Sequence, residues 1–241
     1  MKRILGALVA TALCAGSASA ATIPLQVLAS WSNAVGGSNV TYNPAAGTYD
    51  DNPVVSWGVP VTNFGQSSYR FISDFPLAFG AAPIGEQFKL GTFQHNNRTI
   101  QLNTGIDSVE LGLQFLFDPL NTTPASVSAL SVLVHTETPN VAANCPGQTP
   151  PCPDLVTIGE EINLIQTFTY LGAEYKMTVL GFATMSGGGL VFDDEFVTQE
   201  NALNSADLYA VITPVDVPEP GTMLLLGAGL LAGAARVRRR R

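Results

Sequence analysis

Two cysteines, two histidines and a handful of clustered carboxylates carry the chemistry this chain can offer. Cys145 and Cys152 enclose Pro-Gly-Gln-Thr-Pro-Pro, six residues of which three are proline and one is glycine. A loop that tight holds two thiols near each other. Two thiols without neighbouring histidine or cysteine cannot complete a tetrahedral zinc shell, so a local disulfide is expected. Closing so short a loop stabilises by at most ~2 kcal/mol. The spacing is not the C-x-x-C of redox catalysts. His95 stands in Leu90-Gly91-Thr92-Phe93-Gln94-His95-Asn96-Asn97-Arg98-Thr99-Ile100. If Gly91 marks a bulge, Leu90 and Phe93 share a face and His95 follows inward. His95 is then read as a structural histidine tying a loop through Asn96 or Asn97, the alternative being a ligand-contacting imidazole flanked by amides, with His95 and Asn97 as its residues. His135 closes a strand and is read as structural.

The densest acidic cluster, Asp193-Asp194-Glu195, follows Gly187-Gly188-Gly189. Three carboxylates after a glycine turn are calcium-ligand chemistry, but the D-x-D-x-D-G spacing is missing, and a solvated hairpin tip is the plainer expectation. Asp50-Asp51 and Glu160-Glu161 are of the same kind. Apart from that calcium candidate, no metal or cofactor is expected. Paired carboxylates also run glycoside hydrolysis, where the separation across a cleft decides, and no spacing here sets one. The chain holds no G-x-S-x-G, H-E-x-x-H or P-loop, so no catalytic residues are assigned and a non-enzyme is expected.

Both ends read as addresses. Lys2 and Arg3, the apolar run Ile4 to Leu13 and Ala18-Ser19-Ala20 compose a secretory leader over residues 1–20, to be cut by signal peptidase after Ala20, with Ala21 as the alternative. Leu13 is too large for a lipobox ahead of Cys14, so the exported chain keeps an even pair of cysteines in an oxidising compartment. At the other end, a linker over 215–221 contains Pro218-Glu219-Pro220. Residues 222–241 follow as an apolar run, Thr222 to Ala235, and the basic cluster Arg236, Arg238, Arg239, Arg240 and Arg241. Fourteen apolar residues span ~21 Å, short of the ~30 Å hydrocarbon core. A short transmembrane helix held at its cytoplasmic end by arginines is nevertheless the expected form, because guanidinium groups resist crossing.

Between Ala21 and Glu219 only Arg70, Lys89, Arg98 and Lys176 face all nineteen acidic residues, a net charge of −15. That balance excludes a nucleic-acid partner, which needs a basic footprint. Thr, Ser, Asn, Val and Gly are abundant and amphipathic helical patterns are missing, so residues 21–214 are expected to form one all-β domain, an antiparallel two-sheet sandwich of jelly-roll type. Ser108 to Phe117 gives the clearest strand, with Val109, Leu111, Leu113, Phe115 and Phe117 on one face. Ser126 to His135 follows, with Leu130, Val132 and Val134 on one face. Leu164 to Tyr170 and Tyr175 to Phe182 form a hairpin around Leu171-Gly172-Ala173. Leu25 to Trp31, Val54 to Trp57, Tyr69 to Ile72, Glu86 to Phe93 and Leu208 to Ile212 supply further strands. Tyr42, Tyr49, Trp57 and Tyr69 lie in turn-rich sequence, where aromatic faces could stack on sugars.

The C-terminal arrangement of Pro-Glu-Pro, apolar run and arginines resembles the PEP-CTERM sorting signal of Gram-negative bacteria, read by the membrane enzyme exosortase. Trp57-Gly58, Gln66-Ser67-Ser68-Tyr69-Arg70-Phe71 and Leu90 to Ile100 resemble the PEP-CTERM proteins named for a Thr-His-x-Asn motif, with Gln94 standing where that motif has Thr. Together with Glu137-Thr138-Pro139-Asn140 and Cys145 to Asp154, they also resemble the choice-of-anchor K domain. These resemblances imply a secreted β domain that passes the inner membrane, is held by its tail, and is processed by exosortase to reach the cell surface. The expected role is a structural or adhesion protein of the surface or extracellular matrix. The alternatives are a module binding extracellular polysaccharide and, behind it, a polysaccharide hydrolase.

Overall fold

The computed structural model describes residues 21–76, 79–117, 125–138, 152–159 and 165–215, and among these the chain is built from strands alone. No helix among them is long and apolar enough to cross a membrane. The leader, the Pro218-Glu219-Pro220 motif and the arginine tail lie outside the described residues, as do Cys145 and the Glu160-Glu161 pair.

In chain order the strands are β1 (Thr22–Gly36), β2 (Thr41–Asn43), β3 (Val54–Trp57), β4 (Ser67–Ser73), β5 (Gly80–Pro83), β6 (Gln87–Asn97), β7 (Ile106–Phe117), β8 (Ala125–Thr136), β9 (Asp154–Ile158), β10 (Ile165–Tyr170), β11 (Ala173–Ser186), β12 (Gly189–Asp193), β13 (Glu195–Thr198) and β14 (Ala202–Pro214). The first sheet runs β13-β9-β8-β7-β1-β5. The second runs β10-β11-β14-β6-β4-β3-β2, with β12 added alongside β11. Every pairing between these strands is antiparallel. The two inner faces enclose one core rich in aromatic side chains, including Trp31, Phe71, Phe93, Phe115 and Phe117. This is the two-layer antiparallel sandwich that the composition called for.

The strongest alternation holds as read, since Val109, Leu111, Leu113, Phe115 and Phe117 are all buried along β7. The β10–β11 hairpin also forms, around a two-residue loop in which Leu171 (φ 49°) and Gly172 (φ 81°) both take positive φ. Two successive positive φ angles are what a tight hairpin joining twisted strands requires.

Leu130, Val132 and Val134 do share one face of β8, and it is the outward one. Ala129, Ser131, Leu133 and His135 face the core, while Leu130 and Val134 are 45% and 41% exposed. Directly opposed residues of an antiparallel pair share a face. Val109, Leu111 and Leu113 of β7 oppose Leu133, Ser131 and Ala129, so the more strongly patterned strand sets the face of its neighbour. Small side chains at 129 and 131 then fit beside bulky leucines. A stripe of Leu130, Val132 and Val134 is left outward.

A bulge decides what enters the site. Along the β14–β6 pairing, Leu208 meets Gly91 and Tyr209 meets Lys89, so Leu90 is the extra residue. Before the bulge the even positions Phe88 and Leu90 are buried; after it the odd positions Phe93, His95 and Asn97 are. One inserted residue exchanges the two faces of a strand. Gly91 is required there, because a Cβ would lie 2.5 Å from Phe71 Cζ and closer still to the carbonyl oxygen of Ile72.

Candidate functional site

At one end of the sandwich the core turns polar. The second sheet sends in Trp57 from β3, Tyr69 from β4, and His95 and Asn97 from β6. The first sheet answers with His135 from β8, Asp154 from β9 and Thr198 from β13. Glu137 and Thr138, just past β8, and Glu200, just ahead of β14, complete the group. Trp57, Tyr69, His95, Asn97, Asp154 and Thr198 are each 0% exposed. Most buried polar groups in folded proteins are hydrogen-bonded, so each contact made or missed here has a consequence.

The Tyr69 hydroxyl is hydrogen-bonded to His135 Nδ1. The other ring nitrogen, Nε2, lies 3.2 Å from Glu137 Oε2 and 4.0 Å from Asp154 Oδ2. Asp154 Oδ1 accepts from the Thr138 backbone N–H at 2.8 Å and from its hydroxyl at 3.1 Å, and Oδ2 accepts from Asn97 Nδ2 at 2.7 Å. His95 Nδ1 lies 2.8 Å from Thr198 Oγ1, which itself lies 3.3 Å from the Asp154 carbonyl oxygen. His95 Nε2, Asn97 Oδ1 and Trp57 Nε1 are buried with no hydrogen-bond partner. Rings brace the cluster: Trp57 stacks on His95 at 5.7 Å between centroids, and Tyr69 meets Trp57 edge-on at 4.6 Å. The two imidazoles are perpendicular at 5.3 Å.

The electrostatics follow from burial. Loss of water pushes the Asp154 carboxyl up to about 6, helped by the Glu137 charge and opposed by the Thr138 hydrogen bonds and by His135. Burial, and then the neighbouring His135, holds His95 well below the usual imidazole range, so it is neutral. Tyr69 is raised by burial and by the charges of Asp154 and Glu137, and keeps its phenolic proton. One ligand atom from each of His95, His135 and Asp154 lies within 4.8 Å of the others, and the same holds for Glu137, Asp154 and Glu200.

Two of the residues singled out in the sequence, His95 and Asn97, thus sit at the heart of this cluster. His95 is anchored by Thr198 across the sandwich, which corrects the expectation of a loop tied through Asn96 or Asn97. Trp57 and Tyr69 are core residues, which removes them as sugar-stacking faces; Tyr42 and Tyr49 are half-buried. Asp193, Asp194 and Glu195 are exposed where the chain passes from β12 in the second sheet to β13 in the first. The expected hairpin tip is instead Gly187-Gly188, joining β11 to β12. Asp193 Oδ1 accepts from the Glu195 N–H at 3.2 Å, and the Asp194 carbonyl accepts from the Ile158 N–H at 2.7 Å, so this cluster organises a strand crossing. Cys152 is buried beside the site. Asp154, Glu137, Thr198 and Glu200 went unread as site residues. They stand in short strands or at strand ends, and the signal that could have found them is the acid two residues after Cys152, on the chain that returns beside His135.

A second feature lies on the outward face of the second sheet. Ser68 and Arg70 of β4, Gln94 and Asn96 of β6, Arg98 and Leu203 of β14 line a shallow depression of about 250 Å³. Register explains the grouping, since Asn96 opposes both Ser68 and Leu203 and Gln94 opposes Arg70. The Arg98 guanidinium sits over the Phe64 ring at 5.5 Å, and Phe64 is 69% exposed. Among the described residues, neither Arg70 nor Arg98 has a carboxylate partner, whereas Lys89 is paired with Asp74 and Asp207.

Fold and site therefore define a two-sheet β-sandwich with a closed polar centre. Residues 216–241 match the family model of the PEP-CTERM protein-sorting motif. The match spans the Pro-Glu-Pro, the apolar run and the arginines. It implies export, a membrane-anchored tail and exosortase as the processing partner. No curated protein was found to match the chain.

Proposed function

We propose that this chain is a non-catalytic domain of the cell surface or extracellular matrix, of the Thr-His-x-Asn and choice-of-anchor K kind, delivered by its sorting tail and freed from it by exosortase. The observation that carries the reading is a sorting motif fused to a sandwich whose histidines and Asp154 are buried, with Glu137 alone of the set reaching solvent. His95 and Asp154 are each 0% exposed, whereas general acid–base work needs the group within hydrogen-bond reach of substrate, which supports this reading. The quoted motif residues Trp57, Tyr69, His95, Asn97, Glu137 and Asp154 lie far apart in sequence yet gather in this cluster, which supports the resemblance.

The depression on the second sheet favours a second reading, a module that binds extracellular polysaccharide. Its amides, hydroxyl and two guanidinium groups beside an exposed phenyl ring are the donors and apolar face that a sugar surface engages. In an exported region, Ala21 to Glu219, of net charge −15, gathering two of the four cations there selects acidic glycans. Incubating the purified full-length protein in detergent with the producing cell's own polysaccharide tests both readings. We expect no depolymerisation. Retention on acidic polysaccharide that is lost in Arg70→Ala/Arg98→Ala establishes the binding module, and release of new reducing ends overturns the non-catalytic reading.

A further inference from the structure

We propose that His95, His135 and Asp154, with Glu137 closing the set, hold one divalent transition-metal ion of the zinc class. This goes beyond the surface role above and does not depend on it, because the centre lies inside the sandwich and the depression lies on its outer face.

Hydrogen bonding settles the state of His95. The Asp154 carbonyl oxygen can only accept, so the Thr198 hydroxyl donates to it and its lone pair receives the His95 Nδ1–H. Nε2 is then a bare lone pair, fully buried, and no protein donor meets it. A nitrogen in that state is either an unrepaid cost or a Lewis base for a cation. Asn97 Oδ1 is a second buried acceptor with no donor. The fixing of one ring nitrogen by a neighbour, leaving the other for the ion, is the arrangement that orients metal-ligating histidines. Thr198 supplies it for His95, and Tyr69 supplies it for His135 when the phenolic oxygen accepts the Nδ1–H and leaves Nε2 to the ion.

The dimensions suit a small ion. Ligands at ~2.0–2.2 Å around a tetrahedral centre stand roughly 3.3–3.5 Å apart. Here His135 Nε2 is 3.2 Å from Glu137 Oε2 and 4.0 Å from Asp154 Oδ2, and the His95, His135 and Asp154 ligand atoms fall within 4.8 Å. A bound ion would draw the wider of these separations in to that spacing. Two neutral imidazoles and two carboxylates exactly neutralise a divalent charge, which lessens the cost of burying it. Among the described residues no lysine or arginine reaches Asp154, so a fully buried carboxylate otherwise faces only neutral donors and another acid. Imidazole ligands favour zinc-class ions over calcium and magnesium, which prefer all-oxygen shells. Glu137, whose side chain is 27% exposed, is the one member of the set open to solvent and gives the ion its entry.

Cobalt(II) as a probe reads this directly. Full-length protein in detergent, stripped with chelator and titrated with cobalt, should develop visible bands of tetrahedral intensity that saturate at one ion per chain. One equivalent of zinc should abolish them, and a large excess of calcium or magnesium should not. His95→Ala and Asp154→Asn should each weaken zinc binding at least tenfold, while Asp193→Ala/Asp194→Ala leaves it unchanged. No saturable cobalt band in the wild-type protein, equal competition by calcium, or undiminished zinc binding by His95→Ala would each overturn the assignment. Should His95→Ala fail to fold, the wild-type cobalt spectrum and the zinc competition decide alone.

Discussion

Asp154→Asn, compared with the wild type in chelator, tests the electrostatics of the polar centre. The carboxyl carries its ordinary value of 3.8 in the unfolded chain and is pushed up to about 6 in the fold, chiefly by burial and then by Glu137. The folded state therefore binds more protons than the unfolded state between those values. Stability from this group is full below pH ~4, falls as pH rises towards ~6, and is level above that. At ~1.36 kcal/mol per pH unit, the gap corresponds to about 3 kcal/mol of destabilisation at neutral pH. Asparagine carries no charge and should remove that penalty. Its carbonyl can keep the Thr138 bonds, and its amide can be accepted by Asn97 Oδ1 after a flip of that side chain, since Oδ1 has no partner now. Allowing about 1 kcal/mol for imperfect hydrogen-bond geometry, the variant should be about 2 kcal/mol more stable than wild type at pH 7 and no more stable at pH 4. Urea unfolding at the two pH values reads the difference directly. His135, Glu137, Tyr69 and Glu200 also face or border this carboxylate, so the wild-type and variant curves must be subtracted at each pH. Glu137→Gln should shrink the difference, because it removes the second cause. A pH-independent difference, or a variant less stable at pH 7, would refute the reasoning.

Two further outcomes follow from the fold. Gly91→Ala should cost about 1–3 kcal/mol in denaturant unfolding, because its Cβ meets the Ile72 carbonyl and the Phe71 ring where neither can retreat; a loss under ~0.5 kcal/mol would mean that the bulge can relax. Cys145 and Cys152 should be recovered joined in non-reducing peptide maps, and replacing both with serine should lower stability by no more than ~2 kcal/mol while the fold persists; two free thiols would contradict the pairing.

The legible parts of this structure are those in which one strand carries its own evidence. β7 alternates without interruption, and Leu90-Gly91 followed by Phe93 announced the bulge that turns His95 inward. β8 was illegible in isolation, because Leu130, Val132 and Val134 form as apolar a set as Ala129, Leu133 and its companions. Only the register with β7 chooses between them. The same limit hid the polar centre. Asp154 and Thr198 stand at the ends of β9 and β13, strands of five and four residues that exist because each pairs with a neighbour. Short segments of that kind have no period to read. Tyr69 and Trp57 looked available to sugars because turn-rich sequence surrounds them, yet both close over the histidines. Convergence of β3, β4, β6, β8, β9 and β13 is a property of topology, and local residue pattern does not encode it.

An exported β-sandwich with a sorting motif at residues 216–241 should reach its destination through that tail. Intact mass of the protein recovered from the cell surface, with and without exosortase, tests it most directly. With the enzyme present, the surface form should begin after Ala20 and lack the apolar run and the arginines. Without it, the protein should remain in the membrane fraction with Arg238 to Arg241 attached. A surface form that keeps those arginines, or identical masses and locations in both backgrounds, would mean that the tail is not a sorting signal.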